Sequence, residues 1–301
     1  MQEFLTLFHY EFVRDAYLVG TLVAVVCALM GYFVVLRAQA FASEALSDIG
    51  FAGAAGAAVV GIGGLFGMFV LTILAALGMG ALGERVRGRD IEIGMVLSFA
   101  LGLGVLFLTI YTQVGANATV GVNVLFGSIL SVTSGDLLTS LVGGTATLIV
   151  LAVIFRPLLF ASIDPEVARA RGVPVRLLSM IFLVLLAVTT TEAVLVVGVL
   201  LVLALLIAPA ATALLLTRRP LTSLLLAVAL GLTVIWGGLT LAFIGPGSHL
   251  PVGFFVSSLA ALLYFGALPL KHLRRRYRTV EPRKHLHPCN EYSTLSGRGH
   301  S

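Results

Sequence analysis

Charge is what this sequence has least of: 11% of its 301 residues are Asp, Glu, Lys or Arg, where soluble domains carry about 25%. With 59% apolar residues and a mean hydropathy of +1.07, that shortage excludes an ordinary soluble globular domain. Cysteine is nearly absent as well, and Cys27, in an apolar run, and Cys289, near the end, are too far apart in sequence and setting for a disulfide framework. No GxxxxGK[ST] phosphate loop is present, so the chain does not hydrolyse ATP in the P-loop manner. The absence of HExxH and GxSxG removes the commonest metalloprotease and serine-hydrolase readings. The start of the chain sets Glu3, Glu11 and Asp15 against Arg14 alone, so it lacks the positive region of a cleavable signal, although Ala38-Gln39-Ala40 has the form of a cleavage site.

What is present is a series of long apolar runs. A bilayer core takes about 20 apolar residues per helix, and on that ruler nine spans are expected, near 16–36, 42–62, 65–83, 91–113, 136–155, 175–192, 194–217, 221–243 and 251–270. Alternating the loops puts Arg37, Arg85, Arg87, Arg89, Arg156, Arg169, Arg171, Arg176, Arg218, Arg219 and every basic residue from Lys271 onward on one face. Of the 19 Lys and Arg, the other face receives only Arg14. Positive charge stays on the cytoplasmic side, so the N-terminus is expected outside and the C-terminus inside. The net charge of +5 and pI of 9.6 therefore reflect loops and tail, not a nucleic-acid surface.

The second span carries the chemistry. Within RAQAFASEALSDIGFAGAAGAAVVG, from Arg37 to Gly61, Glu44 and Asp48 stand four residues apart and share a helix face. Ionisable groups inside a span are expensive and mark ion or proton paths by default. The competing reading is structural. Asp48 lies only about 15 Å beyond Arg37 by helix rise, close enough for the acids to pair with arginine at the cytoplasmic end.

Other stretches carry weaker signals. Residues 114–135 hold no basic residue, and Val122 to Val132 is too short to cross. It is a re-entrant half helix lining an external vestibule or a packed surface hairpin. In the loop that begins at Phe155, Asp164-Pro165-Glu166 is a helix start: N-cap, Pro at the first position, acid in the first turn. Gly172 supplies the stop and Pro174 a break. The resulting short helix, about 164–172, carries Arg169 and Arg171 and is a docking knob for a cytoplasmic partner or a solvated connector. Glu192 is expected at an outer turn between spans, where the lower cost of interfacial acids favours the headgroups over a pore mouth. Pro209 should kink its helix, and Ala208, Ala210, Ala211 and Ala213 permit close helix contact. Lys271 to Arg278 reads as an anchor to inner-leaflet lipid. His285, His287 and Cys289 have the form H-x-H-x-C, a weak metal pattern without a fourth ligand.

With those segments placed, the chain resembles the permease subunits of ABC importers for zinc, manganese and iron, the ABC-3 family. Four stretches carry the resemblance: YFVVLRAQAFASEALSD (Tyr32 to Asp48), LFGSIL (Leu125 to Leu130), IDPEVARARGV (Ile163 to Val173) and VVGVLLVLALLIAPAATALLL (Val196 to Leu216). The last is the most specific, and the likeness runs from about Val19 to Leu270.

The resemblance implies an all-α, polytopic membrane protein of about eight to nine transmembrane helices, with an extracytoplasmic N-terminus (1–15), a permease domain (16–270) and a basic cytoplasmic tail (271–301) without fixed structure. It further implies a bacterial plasma (inner) membrane location. The partners it implies are a cytoplasmic ABC ATPase that uses the ATP, an extracytoplasmic metal-binding protein and a second copy of the chain. Asp164, Pro165, Glu166, Arg169 and Gly172 match the family's coupling helix. Family members with an understood pore site carry Asp and, four residues on, His; here those positions are Glu44 and Asp48. Replacing imidazole by carboxylate makes the site all-oxygen, which suits manganese, magnesium or calcium better; the transported ion is expected to be zinc or manganese, with iron a further candidate. The chain itself is then no enzyme and binds no cofactor. The rival readings are an ABC permease for a chelated metal or other small solute, an ion-gradient transporter relaying protons through Glu44, Asp48 and Glu192, and, least supported, a membrane enzyme.

Overall fold

The computed structural model describes residues 11–82, 89–113, 134–217, 219–244 and 252–278. They form ten α-helices and no strand: α1 (Glu11–Leu36), α2 (Ala40–Val60), α3 (Gly64–Leu82), α4 (Arg89–Gln113), α5 (Ser134–Ile163), α6 (Pro165–Ala170), α7 (Val175–Val197), α8 (Val199–Leu216), α9 (Pro220–Ile244) and α10 (Val252–Arg278). Nine of them correspond to the nine expected spans, and α6 to the expected short helix. Seven are long and apolar enough to cross a membrane. Of the other two, α8 is apolar but shorter, and α2 has its hydropathy lowered by Glu44, Asp48 and a run of Gly and Ala.

Two helices form the centre. Two thirds of the apolar windows of α1 and α7 are buried, against about a fifth for α3, α4, α5 and α10. Helices apolar all round either sit in a core or face lipid, and here both cases occur. On one side of this centre α2 packs against α3 and α4; on the other, α8 packs against α1, α9 and α10. Phe33 of α1 stands edge-on to Phe155 of α5 at 5.7 Å and to Phe182 of α7 at 6.4 Å. Such aromatic pairs contribute about 0.5–1.5 kcal/mol beyond their area.

Lipid gives helices no hydrophobic reason to associate, so close approach depends on small residues. Gly53 of α2 and Gly67 of α3 meet backbone to backbone, and a Cβ on Gly53 would lie 2.5 Å from the Gly67 carbonyl oxygen. At Gly31 of α1 a Cβ would run into the carbonyl of Leu206 in α8. α2 ends where Gly61 turns left-handed (φ 78°), and the Ile62 N–H reaches back to the Ala57 carbonyl at 2.9 Å, a Schellman stop.

Three expectations are corrected. The loop expected from Phe155 is helical to Ile163: α5 continues through Pro157, because one proline removes a single backbone bond while Leu158 and Ala161 keep the helix buried. The boundary expected at residue 192 lies at Gly198, whose φ of 94° makes a one-residue corner between α7 and α8. The first eight residues assigned to the tail continue α10 to Arg278. Residues 114–133 and the His285, His287, Cys289 pattern lie outside the described residues.

Candidate functional site

Glu44 and Asp48 lie in the N-terminal half of α2. By helix rise, Asp48 is about 12 Å from the Ala40 end and about 18 Å from the Val60 end. Asp48 is buried, at 3% exposure, while Glu44 is half-buried and its Oε2, itself buried, has no hydrogen-bond partner among the described residues. No ion pair joins either carboxylate to a basic side chain among the described residues. Arg37, the candidate partner, instead donates from Nη2 to Ser179 Oγ at 2.6 Å and lies 5.2 Å from the centre of the Phe182 ring. These contacts fasten the turn before α2 to α7.

The C-terminal half of α2 borders a cavity of about 440 Å³, lined among others by Phe51, Ala55, Ala58, Met68 and Tyr111. Phe51 and Ala55 follow Asp48 by three and seven residues, so helix periodicity puts the cavity on the face that carries Asp48. Beside it, Thr72 of α3 touches the Gly50 position, its Cγ2 lying 3.2 Å from where a Cβ would stand. Its hydroxyl meets that of Thr191 in α7 at 3.0 Å. The Thr pair ties α3 to α7 beside the Gly50 position, and sequence spacing gave no sign of a contact 119 residues apart.

Glu192 is not among headgroups. It sits in α7 at 2% exposure with Oε1 unpartnered among the described residues, directly against Gly143 of α5, where a Cβ would collide with that oxygen. Two consecutive glycines on α5 make the room, and their pairing with an acid some fifty residues on cannot be read from either stretch alone. Facing α5 and Leu22 of α1, one residue around from Thr191, Glu192 is not brought together with Glu44 and Asp48.

At the other end of the molecule, α6 has the capping expected of it. Asp164 Oδ1 accepts from the Val167 N–H at 3.0 Å, Pro165 opens the helix, and Gly172 (φ 81°) closes it with the Val173 N–H on the Ala168 carbonyl at 3.0 Å. Ala168 is fully buried against Ala161, Val175 and Leu178, while Glu166, Val167 and Arg169 are exposed. A rigid short helix thus presents one polar and apolar face outward.

The sequence matches the ABC 3 transport family over residues 9–270. The chain belongs to that family. It is 31% identical over 261 residues to the manganese transport system membrane protein MntC of Halalkalibacterium halodurans, covering 86% of this chain and 88% of that one. To the manganese import system permease protein ScaB of Streptococcus gordonii it is 30% identical, over 92% of this chain and 99% of the relative. The structure of PsaBC from Streptococcus pneumoniae in complex with Fab superposes with a TM-score of 0.80 at 27% identity, covering 92% of this chain and 99% of that one. This ABC-3 chain is accordingly a multi-pass membrane permease subunit, and its kin transport solutes rather than catalyse reactions on them.

Proposed function

We propose that this ABC-3 permease carries manganese into the cell, two copies forming the pore and Glu44 and Asp48 of each copy binding the passing ion. The carrying observation is the pair of carboxylates on α2, Asp48 buried and Glu44 half-buried, that no ion pair joins to a basic side chain among the described residues. Carboxylate oxygen suits Mn2+, whereas the borderline-soft Zn2+ is better served by nitrogen and sulfur, and relatives named for manganese transport support the same metal. Four carboxylates from two copies attract a divalent ion strongly and repel one another when it leaves. Among the described residues no ion pair links Arg37 to either of them, and its Nη2 donates to Ser179 Oγ.

In this reading the N-terminus is outside, an extracytoplasmic binding protein delivers the ion, and a cytoplasmic ATPase grips α6. ATP binding closes the ATPase pair, α6 moves with it, and the pore changes from outward- to inward-facing. The chain contributes no catalytic residue, and Lys271 to Arg278 meet inner-leaflet lipid. Family membership argues against the ion-gradient and membrane-enzyme readings. The test is uptake of Mn2+, Zn2+ and Fe2+ by cells expressing the whole system with wild type, Glu44→Ala or Asp48→Ala. Loss of Mn2+ uptake at normal membrane level and ATPase association is expected. Unchanged uptake in both variants would refute the site, and uptake of zinc alone would refute the metal.

A further inference from the structure

The polar surface of α2 does not end at the carboxylates. Gln39, the residue before α2, and Ser43 and Ser47 in its N-terminal half are 9%, 1% and 1% exposed. Gln39 Oε1 and Ser47 Oγ are buried without a hydrogen-bond partner among the described residues, as is Glu44 Oε2. Ser43 Oγ donates to the Ala40 carbonyl at 2.7 Å, which leaves its lone pairs able to accept. Folded proteins leave only a few buried polar groups unsatisfied per 100 residues, and each such group calls for a water, an ion or a functional reason. Three of them within nine residues of one helix mark a place built for something polar.

The arrangement is continuous. In the order Asp48, Glu44, Ser47, Ser43, Gln39, each residue is three or four positions from the next, the spacing of neighbours on a helix surface. From Asp48 to Gln39 the series spans about 13.5 Å along the helix axis, stepping back about 4.5 Å between Glu44 and Ser47, and ends at the turn fastened by Arg37. By helix periodicity the five positions spread over about half of the circumference, a continuous arc from Gln39 to Asp48. The chemistry changes along that arc from charged to neutral oxygen. An ion held by carboxylates needs weaker ligands in order to leave, because conduction requires sites strong enough to enter and weak enough to exit. Hydroxyl and amide oxygens are hard ligands of that kind.

We propose that Ser47, Ser43 and Gln39 form the release track of the transported ion, passing a hard divalent cation from Glu44 to the inner end of α2 by successive contacts with neutral oxygen. This rests on the reading of Glu44 and Asp48 as the ion site. The test uses cells expressing the whole transporter with Ser47→Ala, Gln39→Leu, the double variant and Ser47→Thr, which keeps the hydroxyl. Uptake of radiolabelled Mn2+ is normalised to assembled permease–ATPase complex, and Mn2+ binding is measured on the purified complex. The double variant is expected to lose about ten-fold in maximal uptake rate, a barrier change of about 1.4 kcal/mol, while still binding Mn2+, with Ser47→Thr close to wild type. A wild-type rate in the double variant overturns the track, as does a loss in Ser47→Thr equal to that in Ser47→Ala, which would assign Ser47 to packing. Glu44→Ala serves as the reference: if it transports normally the carboxylate reading itself fails, whereas loss in Glu44→Ala with a normal double variant refutes the track alone.

Discussion

Removing the Asp164 cap isolates what holds α6 in shape. At six residues α6 is far below the length at which a helix stands alone in water. It is maintained by the Asp164–Val167 bond of 3.0 Å, the glycine stop at Gly172 and burial of Ala168. Asp164→Ala leaves the last two intact and removes a cap of about 1 kcal/mol, which shifts the equilibrium between formed and unformed helix about five-fold. If α6 is the ATPase grip, the affinity of the purified permease for its ATPase should fall about five-fold, with the thermal midpoint of the isolated permease nearly unchanged because the bundle is untouched. Asp164→Asn, which retains a capping oxygen, should bind like wild type. Unaltered affinity in Asp164→Ala, or an equal loss in Asp164→Asn, would refute the reasoning, the second result by showing that charge matters and the cap does not.

Other perturbations follow from the packing. Gly67→Ala puts a methyl group onto the Gly53 carbonyl and the Ala57 side chain; the α2–α3 contact should loosen at a cost of about 1–3 kcal/mol, seen as a lower thermal midpoint of the detergent-solubilised protein. Thr72→Val removes the 3.0 Å contact with Thr191 at nearly constant volume and should cost only about 0.6 kcal/mol by the same measurement. Glu192→Gln keeps the shape against Gly143 and removes the charge, so fold and Mn2+ uptake should both persist. Abolished uptake there, with normal assembly, would place Glu192 on the ion path.

Much of the bundle is legible in the sequence because the bilayer imposes a length on each apolar run and the arginines mark where runs end. Arg37 closes the first span, and Asp164-Pro165-Glu166 and Gly172 bound the short helix to within a residue or two, since capping is local chemistry. The acids of α2 are equally visible: two carboxylates inside an apolar run stand out whatever surrounds them. What could not be read depends on contacts between distant segments. Glu192 looks interfacial until Gly143 and Gly144 supply a space for it, and the Gly198 corner is hidden inside a continuous apolar run. Ser47 and Gln39 do not stand out in the sequence, because serine and glutamine are common near helix ends. Their four-residue spacing with Ser43 was available, but only burial without partners gives it meaning.

The most direct measurement is Mn2+ binding to the purified permease–ATPase complex, followed by electron paramagnetic resonance, in wild type and in the volume-conserving variants Glu44→Gln and Asp48→Asn. Bound Mn2+ with an all-oxygen signature in wild type, lost or strongly weakened in both variants, is the expected result. Equal binding by all three proteins would contradict the account.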